Sequence, residues 1–282
     1  MKAPKTRIEA RFTYLQRQKR KAFIPYITAG DPNLETTARI ILELEKSGAD
    51  IIELGVPFSD PMADGLVIQR ASERALKNRV TVRDCLELVR EVRKQSDIPI
   101  VLFSYLNPLL SIENLGTEVS SAGVDGILVT DFVPEEAGEY IKEMREANIN
   151  TIFLVAPTST NERLKLIADA CTGFVYAVSR AGVTGVRQSL AESAAILVER
   201  VRRFTALPVA VGFGVSTGDH VAEVWQHADA AVVGSRIVAE IEQYANDSDL
   251  VARVGDLTKG LVASRCQAIE AASALENNLS DS

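Results

Sequence analysis

The strongest constraint on the fold is a repeat in which eight short runs rich in Val, Ile and Leu alternate with helical segments. Each helix would return the chain to the same edge of a sheet, so the pattern indicates strands that pair in parallel. The predicted strands are 23–28, 50–54, 98–105, 126–130, 151–155, 173–178, 208–212 and 229–233.

Eight such units close naturally into a (β/α)8 TIM barrel, an α/β fold. An open doubly wound sheet is the alternative, but no G-x-G-x-x-G follows the first strand. Barrels of about 250 residues form one domain, so we expect a single domain over 1–282, with a frayed polar tail at 277–282. The basic, moderately amphipathic segment 8–19 is predicted to be an extra N-terminal helix that plugs or covers one end. Two helix starts are also predicted, a capping box at 159–162 and an N-cap at Ser216.

Composition excludes several classes of protein. With 46% hydrophobic and 24% charged residues and no apolar run of about 18, the chain reads as an ordinary soluble protein. The N-terminus lacks a secretory signal, so we expect a cytoplasmic location, or the plastid stroma if the source is a photosynthetic eukaryote. A net charge of -7 argues against general nucleic-acid binding, and three distant cysteines argue against a disulfide framework or a thiolate metal site.

Residues 51–65 place an acidic cluster at the end of a buried strand. Glu53 is surrounded by Ile51, Ile52 and Leu54, and the following loop carries Asp60 and Asp64. Burying a carboxylate is costly, so this arrangement is better explained by chemistry than by folding. Apolar surroundings should favour the neutral form of Glu53 and prepare it to exchange a proton near neutral pH. No basic residue lies between 49 and 69, so a partner in a salt bridge would have to come from elsewhere.

The carboxyl ends of barrel strands meet at one face, where active sites lie. Strand ends therefore provide the first candidate residues, which are Glu53, Tyr105, Asp131, Tyr176, Gly212-Phe213-Gly214 and Gly234-Ser235. Glycines after strands seven and eight allow backbone amides to approach a phosphate, although each glycine could simply end a strand. The aromatic and apolar residues Phe23, Phe103, Tyr105, Leu154 and Phe213 suggest a flat hydrophobic group opposite that phosphate. Residues 179–185 are expected to form a movable lid, with a rigid turn as the alternative.

Four segments resemble the tryptophan synthase alpha chain family and occur in the family's order. They are ELGVPFSDPMADG (53–65), FIPYITAGDP (23–32), YAVSRAGVTG (176–185) and VGFGVS (211–216). The resemblance implies a TIM barrel that cleaves indole-3-glycerol phosphate to indole and glyceraldehyde 3-phosphate by a retro-aldol reaction.

The resemblance also implies roles for individual residues. Glu53 matches the residue that acts as general acid and base. Asp64 matches the residue that accepts a hydrogen bond from the indole N–H. Tyr176 matches the residue that helps to hold the acid-base group. Thr184 matches a lid residue that meets the aspartate. Phosphate contacts match Gly185, Gly214, Gly234 and Ser235. The full set of predicted substrate-binding residues is Phe23, Phe103, Tyr105, Thr130, Leu154, Thr184 and Phe213.

The family further implies a partner, a pyridoxal-phosphate beta chain in an alpha2-beta2 heterotetramer, with no cofactor and no metal in this chain. Pro57, Asp60 and Pro61 fall where the family's loop contacts that partner. The chain departs from the family at 109–116, where a Tyr-Gly pair and an aromatic helix position usually occur. That loop borders the beta chain in the family, so the departure concerns the contacts with the partner and not the residues of the chemistry.

Three functions remain open from the sequence. The first is the alpha subunit, and the second is a free-standing indole-3-glycerol phosphate lyase with high turnover without a partner. The third is a non-catalytic or weakly active subunit that mainly activates a beta chain, which the presence of Glu53, Asp64 and Tyr176 disfavours. If the family assignment were wrong, the chain would be interpreted as a different TIM-barrel enzyme that acts on a sugar phosphate.

Overall fold

The computed structural model describes residues 6–178, 190–212 and 214–263. Within them, nine parallel strands form one sheet in the order β5-β4-β3-β2-β1-β9-β8-β7-β6. The strands are β1 (Ala22–Thr28), β2 (Ile52–Gly55), β3 (Ile100–Ser104), β4 (Gly126–Val129), β5 (Asn150–Ile152), β6 (Leu154–Val155), β7 (Val175–Val178), β8 (Val209–Gly212) and β9 (Ala230–Val233).

The described residues also form helices, of which α1 precedes the first strand and the others follow strands. They are α1 (Arg7–Arg17), α2 (Leu34–Lys46), α3 (Leu66–Lys77), α4 (Val82–Arg93), α5 (Leu106–Leu109), α6 (Leu115–Ala122), α7 (Gly138–Glu146), α8 (Asn161–Ala170), α9 (Leu190–Arg202), α10 (Gly218–His227), α11 (Ser235–Gln243) and α12 (Leu250–Val262). The predicted last helical region is therefore two helices, and the short α5 was not predicted.

The sheet forms a nearly closed barrel. Strands β5 and β6 stand at opposite ends of the strand order, although only Phe153 separates them in the chain. β5 pairs with β4 and β6 pairs with β7, while the Phe153 carbonyl accepts the Tyr176 N–H at 3.3 Å. β5 and β6 together correspond to the predicted fifth strand, 151–155, and they fill one position in a ring of eight strands. This confirms the (β/α)8 barrel and excludes the open doubly wound sheet.

Helix α1 closes the end of the barrel at which the strands begin. Its buried Ile8, Phe12 and Leu15 belong to the same apolar cluster as the interior residues of the strands. The Phe12 ring lies 5.9 Å from the ring of Phe174, just before β7. The predicted N-terminal plug is confirmed, and the opposite end of the barrel remains available for a site.

Two predicted helix starts were wrong by one residue. Thr160, not Ser159, caps α8 by accepting the Arg163 N–H, because the Ser159 hydroxyl instead accepts the Ala156 N–H at 3.1 Å. Thr217, not Ser216, caps α10. The side chain of Ser216 lies 3.4 Å from His220 Nδ1, so its hydroxyl has a different partner.

None of the helices in the described ranges combines the length and apolarity that a membrane crossing requires. The cytoplasmic location stays a prediction.

Candidate active site

A cavity of about 310 Å³ opens where the strands end. Its walls come from β1, β2, β3, β7 and β9 and from the loops and helix starts that follow strands. The lining residues are Tyr26, Glu53, Ala63, Asp64, Gly65, Ile68, Phe103, Tyr176, Gly214, Val215, Ser216, Val232, Gly234, Ser235 and Arg236. The cavity therefore lies at the face where barrel enzymes carry their active sites.

Glu53 is the buried carboxyl of this cavity. Strand periodicity places it on the same face as Ile51, which belongs to the barrel interior, and Glu53 is only 1% exposed. Neither carboxyl oxygen has a hydrogen-bond partner among the described residues. Loss of hydration raises the pKa of Glu53 to about 8. The expectation that its surroundings favour the neutral form is thereby confirmed.

Two buried tyrosines lie near Glu53, and only one of them was predicted. Tyr26 pairs in register with Glu53 on the neighbouring strand, and its ring packs edge-on against Phe103 at 5.3 Å. Burial raises the pKa of Tyr176 well above its ordinary value, and the nearby Glu53 raises it further. Sequence reasoning missed Tyr26, although the alternation Ala22, Ile24, Tyr26 places it on the interior face.

Asp64 and Tyr105 join the loop after β2 to the end of β3. Partial burial raises the pKa of Asp64 to about 6, and a hydrogen bond from Tyr105 opposes that rise. The Tyr105 hydroxyl also accepts the Ala63 N–H at 2.9 Å. Tyr105 thus holds the loop that presents Asp64, from a position behind the cavity wall. Thr130, half-buried at the end of β4, lies beside Tyr105.

Another part of the cavity wall, at the end of β9, has the features of an anion site. Gly234 precedes α11, whose first residue is Ser235, so the N–H groups of Ser235 and Arg236 have no acceptor within the helix. Helix N-termini of this kind bind phosphate through backbone amides and the helix dipole. Gly214, with a φ of 80°, lines the same wall.

The structure does not bring every predicted residue to the cavity. Phe23 is the second residue of β1 and is fully buried in the core cluster outside the barrel interior, whereas Tyr26 occupies the cavity end of that strand. Leu154 lies inside the barrel, in register with Tyr176, without lining the cavity. Asp131 accepts the Leu106 N–H at 2.8 Å, at the start of α5.

Three further candidates, Thr184, Gly185 and Phe213, lie outside the described residues, as does the predicted lid. The cavity also contains residues that were not predicted. In addition to Tyr26, they include Ile68, Val232, Ser216 and Arg236. Arg236 carried a usable signal, since it directly follows the predicted phosphate pair.

The residues expected to contact a partner lie on the loop from β2 to α3. Pro57 is buried, Pro61 is half-buried and Asp60 is exposed. Beside them Met62 is 93% exposed, which is unusual for so large an apolar side chain. The divergent 109–116 segment contains the exposed Leu110.

Comparison with known proteins identifies the family. A family model for the tryptophan synthase alpha chain matches residues 12–264. A tryptophan synthase alpha chain of Solibacter usitatus is 50% identical over 258 residues, covering 91% of this chain and 97% of that protein. One from Geotalea daltonii is 46% identical over 241 residues, covering 85% and 91%.

Solved structures agree with the sequence matches. Tryptophan synthase subunit alpha from Legionella pneumophila superposes with a TM-score of 0.85 at 36% identity, covering 94% of this chain and 98% of that one. A chain of the tryptophan synthase α2β2 complex from Pyrococcus furiosus gives a TM-score of 0.80 at 41% identity, covering 86% and 99%. This chain is a member of the tryptophan synthase alpha chain family.

Proposed function

We propose that this chain is a tryptophan synthase alpha subunit, a lyase that cleaves indole-3-glycerol phosphate to indole and glyceraldehyde 3-phosphate. One observation carries the proposal. A buried carboxyl without a partner among the described residues, Glu53, shares a cavity with the amides and glycines at Gly214, Gly234 and Ser235. A proton donor and a phosphate anchor at separate points of one cavity are what this substrate requires.

Glu53 serves as both acid and base. With a pKa of about 8 it is protonated at neutral pH and can donate that proton to C3 of the indole ring. The protonated ring accepts the electron pair of the bond between C3 and the glycerol carbon. As that bond breaks, the hydroxyl on the same glycerol carbon loses its proton to the Glu53 carboxylate and becomes the aldehyde. The acid form of Glu53 is thereby restored.

Asp64 stabilises the charge that develops on the ring. With a pKa of about 6 it is mostly ionised at neutral pH, so it can accept a hydrogen bond from the indole N–H as the ring becomes positive. Tyr105 keeps the loop of Asp64 in place through the Ala63 amide. Tyr176 is proposed to hold the Glu53 carboxyl, and the wall of Phe103 and Tyr26 to pack against the flat indole ring.

The phosphate lies against Gly214, Gly234 and Ser235 in this proposal. Gly185 is a further proposed phosphate contact, Thr184 a proposed lid residue and Phe213 a proposed substrate contact. Phe23 is not retained, because its side chain packs in the core on the other side of the sheet. Leu154 and Thr130 remain proposed substrate neighbours behind the cavity wall.

The proposed partner is a beta chain. The Pyrococcus furiosus relative is part of an α2β2 complex, and we propose the same assembly for this chain. The loop from β2 to α3 carries Pro57, Asp60 and Pro61, and it exposes Asp60 to solvent. The same loop contributes Asp64 to the cavity, so docking there would place a partner close to the released indole. Pyridoxal phosphate would then belong to the beta chain, and this chain would need no cofactor of its own.

The test is indole release from indole-3-glycerol phosphate, measured with and without a beta chain. Glu53→Gln should abolish release while the binding of glycerol 3-phosphate survives, since the two functions lie on different walls. Substantial cleavage by this variant would refute the assignment of Glu53. High turnover by the wild-type chain alone would instead favour the free-standing lyase, and wild-type activation of a beta chain without cleavage would favour the activator.

A further inference from the structure

Arg236 brings a positive charge to the proposed phosphate wall. It is the second residue of α11, directly after Ser235, and it lines the cavity with Gly214, Gly234 and Ser235. Its side chain is 38% exposed, so the guanidinium is accessible to solvent and not buried in the core.

The present partner of Arg236 lies one helical turn further along α11. Arg236 Nη1 donates to Glu240 Oε2 at 2.7 Å, and Glu240 is only 13% exposed. A guanidinium has five N–H donors in a planar fork, and this ion pair engages one nitrogen. Arg236 can therefore keep Glu240 while another face of the fork turns toward an anion, or it can exchange one partner for the other.

We propose that Arg236 binds the phosphate of the substrate directly and adds a side-chain cation to a site otherwise built from backbone amides and a serine hydroxyl. The inference rests on the proposed function, because it assigns the ligand class of the same cavity. The guanidinium fork matches the spacing of two phosphate oxygens, and charge-assisted hydrogen bonds of this kind are short and strong.

Arg236→Ala would also weaken binding if Arg236 only neutralised Glu240 and never contacted the phosphate. Arg236 neutralises Glu240, so its removal would leave a half-buried carboxylate near the phosphate and weaken binding through repulsion alone. The double variant Arg236→Ala/Glu240→Gln removes that repulsion as well. Direct contact predicts that the double variant still binds weakly, whereas pure neutralisation predicts that binding returns to the wild-type value.

The experiment is calorimetric titration of the full chain with glycerol 3-phosphate and with inorganic phosphate at fixed ionic strength. Arg236→Ala should raise both dissociation constants by about tenfold to a hundredfold, the range expected for a charged hydrogen bond. Arg203→Ala is the matched control, because Arg203 forms an exposed i,i+4 ion pair with Glu199 at the far end of the barrel. It removes the same charge and should leave both constants unchanged.

Three results would overturn the inference: binding by Arg236→Ala within twofold of wild type, full recovery in the double variant, or an equal loss in Arg203→Ala. The readout does not depend on cleavage. Phosphate binding that requires Arg236 in a chain that releases no indole would support the inference and refute the proposed function. Indole release by the wild-type chain, together with phosphate binding that does not depend on Arg236, would support the proposed function and refute the inference.

Discussion

The Tyr176 hydroxyl occupies the space that a β-carbon at Gly212 would need. An ideal β-carbon built there would lie 2.2 Å from Tyr176 Oη and 2.7 Å from Cζ, well inside van der Waals contact. Gly55 stands in the same relation to Tyr26, at 2.1 Å from the hydroxyl. Glycines on β8 and β2 thus allow two tyrosine hydroxyls to lie across their neighbouring strands near Glu53.

Gly212→Ala should therefore displace Tyr176. We expect a loss of stability of about 1–3 kcal/mol from overpacking, and a fall in kcat of up to about a hundredfold as the tyrosine moves. Urea denaturation and steady-state indole release measure the two effects. Gly138→Ala is the control, because a β-carbon at Gly138 meets nothing within 4 Å. Unchanged activity in Gly212→Ala would show that the position of Tyr176 does not matter for catalysis.

The pH dependence of kcat/KM should be bell-shaped. Glu53 must be protonated to act as an acid, so activity should fall as pH rises through about 8. Asp64 must be ionised to accept the indole N–H, so activity should also fall as pH drops through about 6. Initial rates at low substrate concentration between pH 5 and 9.5 test both limbs. Asp64→Asn should lower the rate and remove the acidic limb, and a rate that kept rising through pH 9 would contradict the role of Glu53.

Glu53 should also reduce stability as pH rises. Its folded pKa of about 8 lies above its ordinary value of 4.5, so between these values the folded chain holds a proton that the unfolded chain releases. The unfolding free energy should fall by about 1.4 kcal/mol per pH unit across this window because of Glu53 alone. Glu53→Gln lacks this term, so its stability relative to wild type should increase from pH 5 to pH 7. Denaturation at both pH values tests this, and a constant difference would argue against a neutral buried Glu53.

The barrel was predictable because parallel strands that are buried on both faces produce short, continuous apolar runs. Glu53 was predictable for the same reason, since a single charge within such a run is conspicuous. Phe23 was misplaced although the predicted strand 23–28 begins with it, and it belongs to the core cluster outside the barrel interior, whereas its neighbours Ala22 and Ile24 belong to the interior. Tyr26 could have been found from alternation, starting at the buried Ile24.

The N-cap of α10 and the position of Arg236 depend on tertiary contacts. Ser216 and Thr217 are both suitable N-caps, and the choice depends on where α10 begins and on the contact between Ser216 and His220. The position of Arg236 in the cavity wall depends on how α11 leaves β9. Local sequence alone decides neither, although the position of Arg236 directly after the predicted phosphate pair was a signal. Each depends on the direction in which a helix packs against the barrel.

Two substitutions of Gly234 distinguish a crowded phosphate wall from a failure to fold. A β-carbon there would lie 3.4 Å from Tyr26 Cβ, an ordinary contact, so Gly234→Ala should fold normally and bind glycerol 3-phosphate within a fewfold of wild type. Gly234→Glu would add bulk and negative charge to the phosphate wall, and we expect at least about a hundredfold weaker binding. Titration calorimetry measures both variants. Wild-type affinity in Gly234→Glu would remove this wall from the proposed site.

Arg74 should matter for stability more than any exposed ion pair. Its Nε and Nη2 donate to the two carboxyl oxygens of Asp31 at 2.8 Å each, and its Nη1 contacts Glu242 on α11 at 2.7 Å. Asp31 is 1% exposed, so Arg74→Ala leaves a buried carboxylate without its partner and should cost about 3–5 kcal/mol at pH 7. Lys259→Ala, which breaks an exposed pair with Asp256, should cost less than about 1 kcal/mol.

The pH dependence distinguishes this explanation from a general packing defect. Burial raises the pKa of Asp31 and Arg74 opposes that rise, so the pKa should increase further when Arg74 is removed. The cost of Arg74→Ala should then shrink as pH falls and Asp31 becomes neutral. Adding Asp31→Asn should recover part of the stability at pH 7 for the same reason. Urea denaturation of the single and double variants at pH 5 and pH 7 measures both effects, and an equal loss at the two pH values would mean that lost packing, not the stranded charge, is responsible.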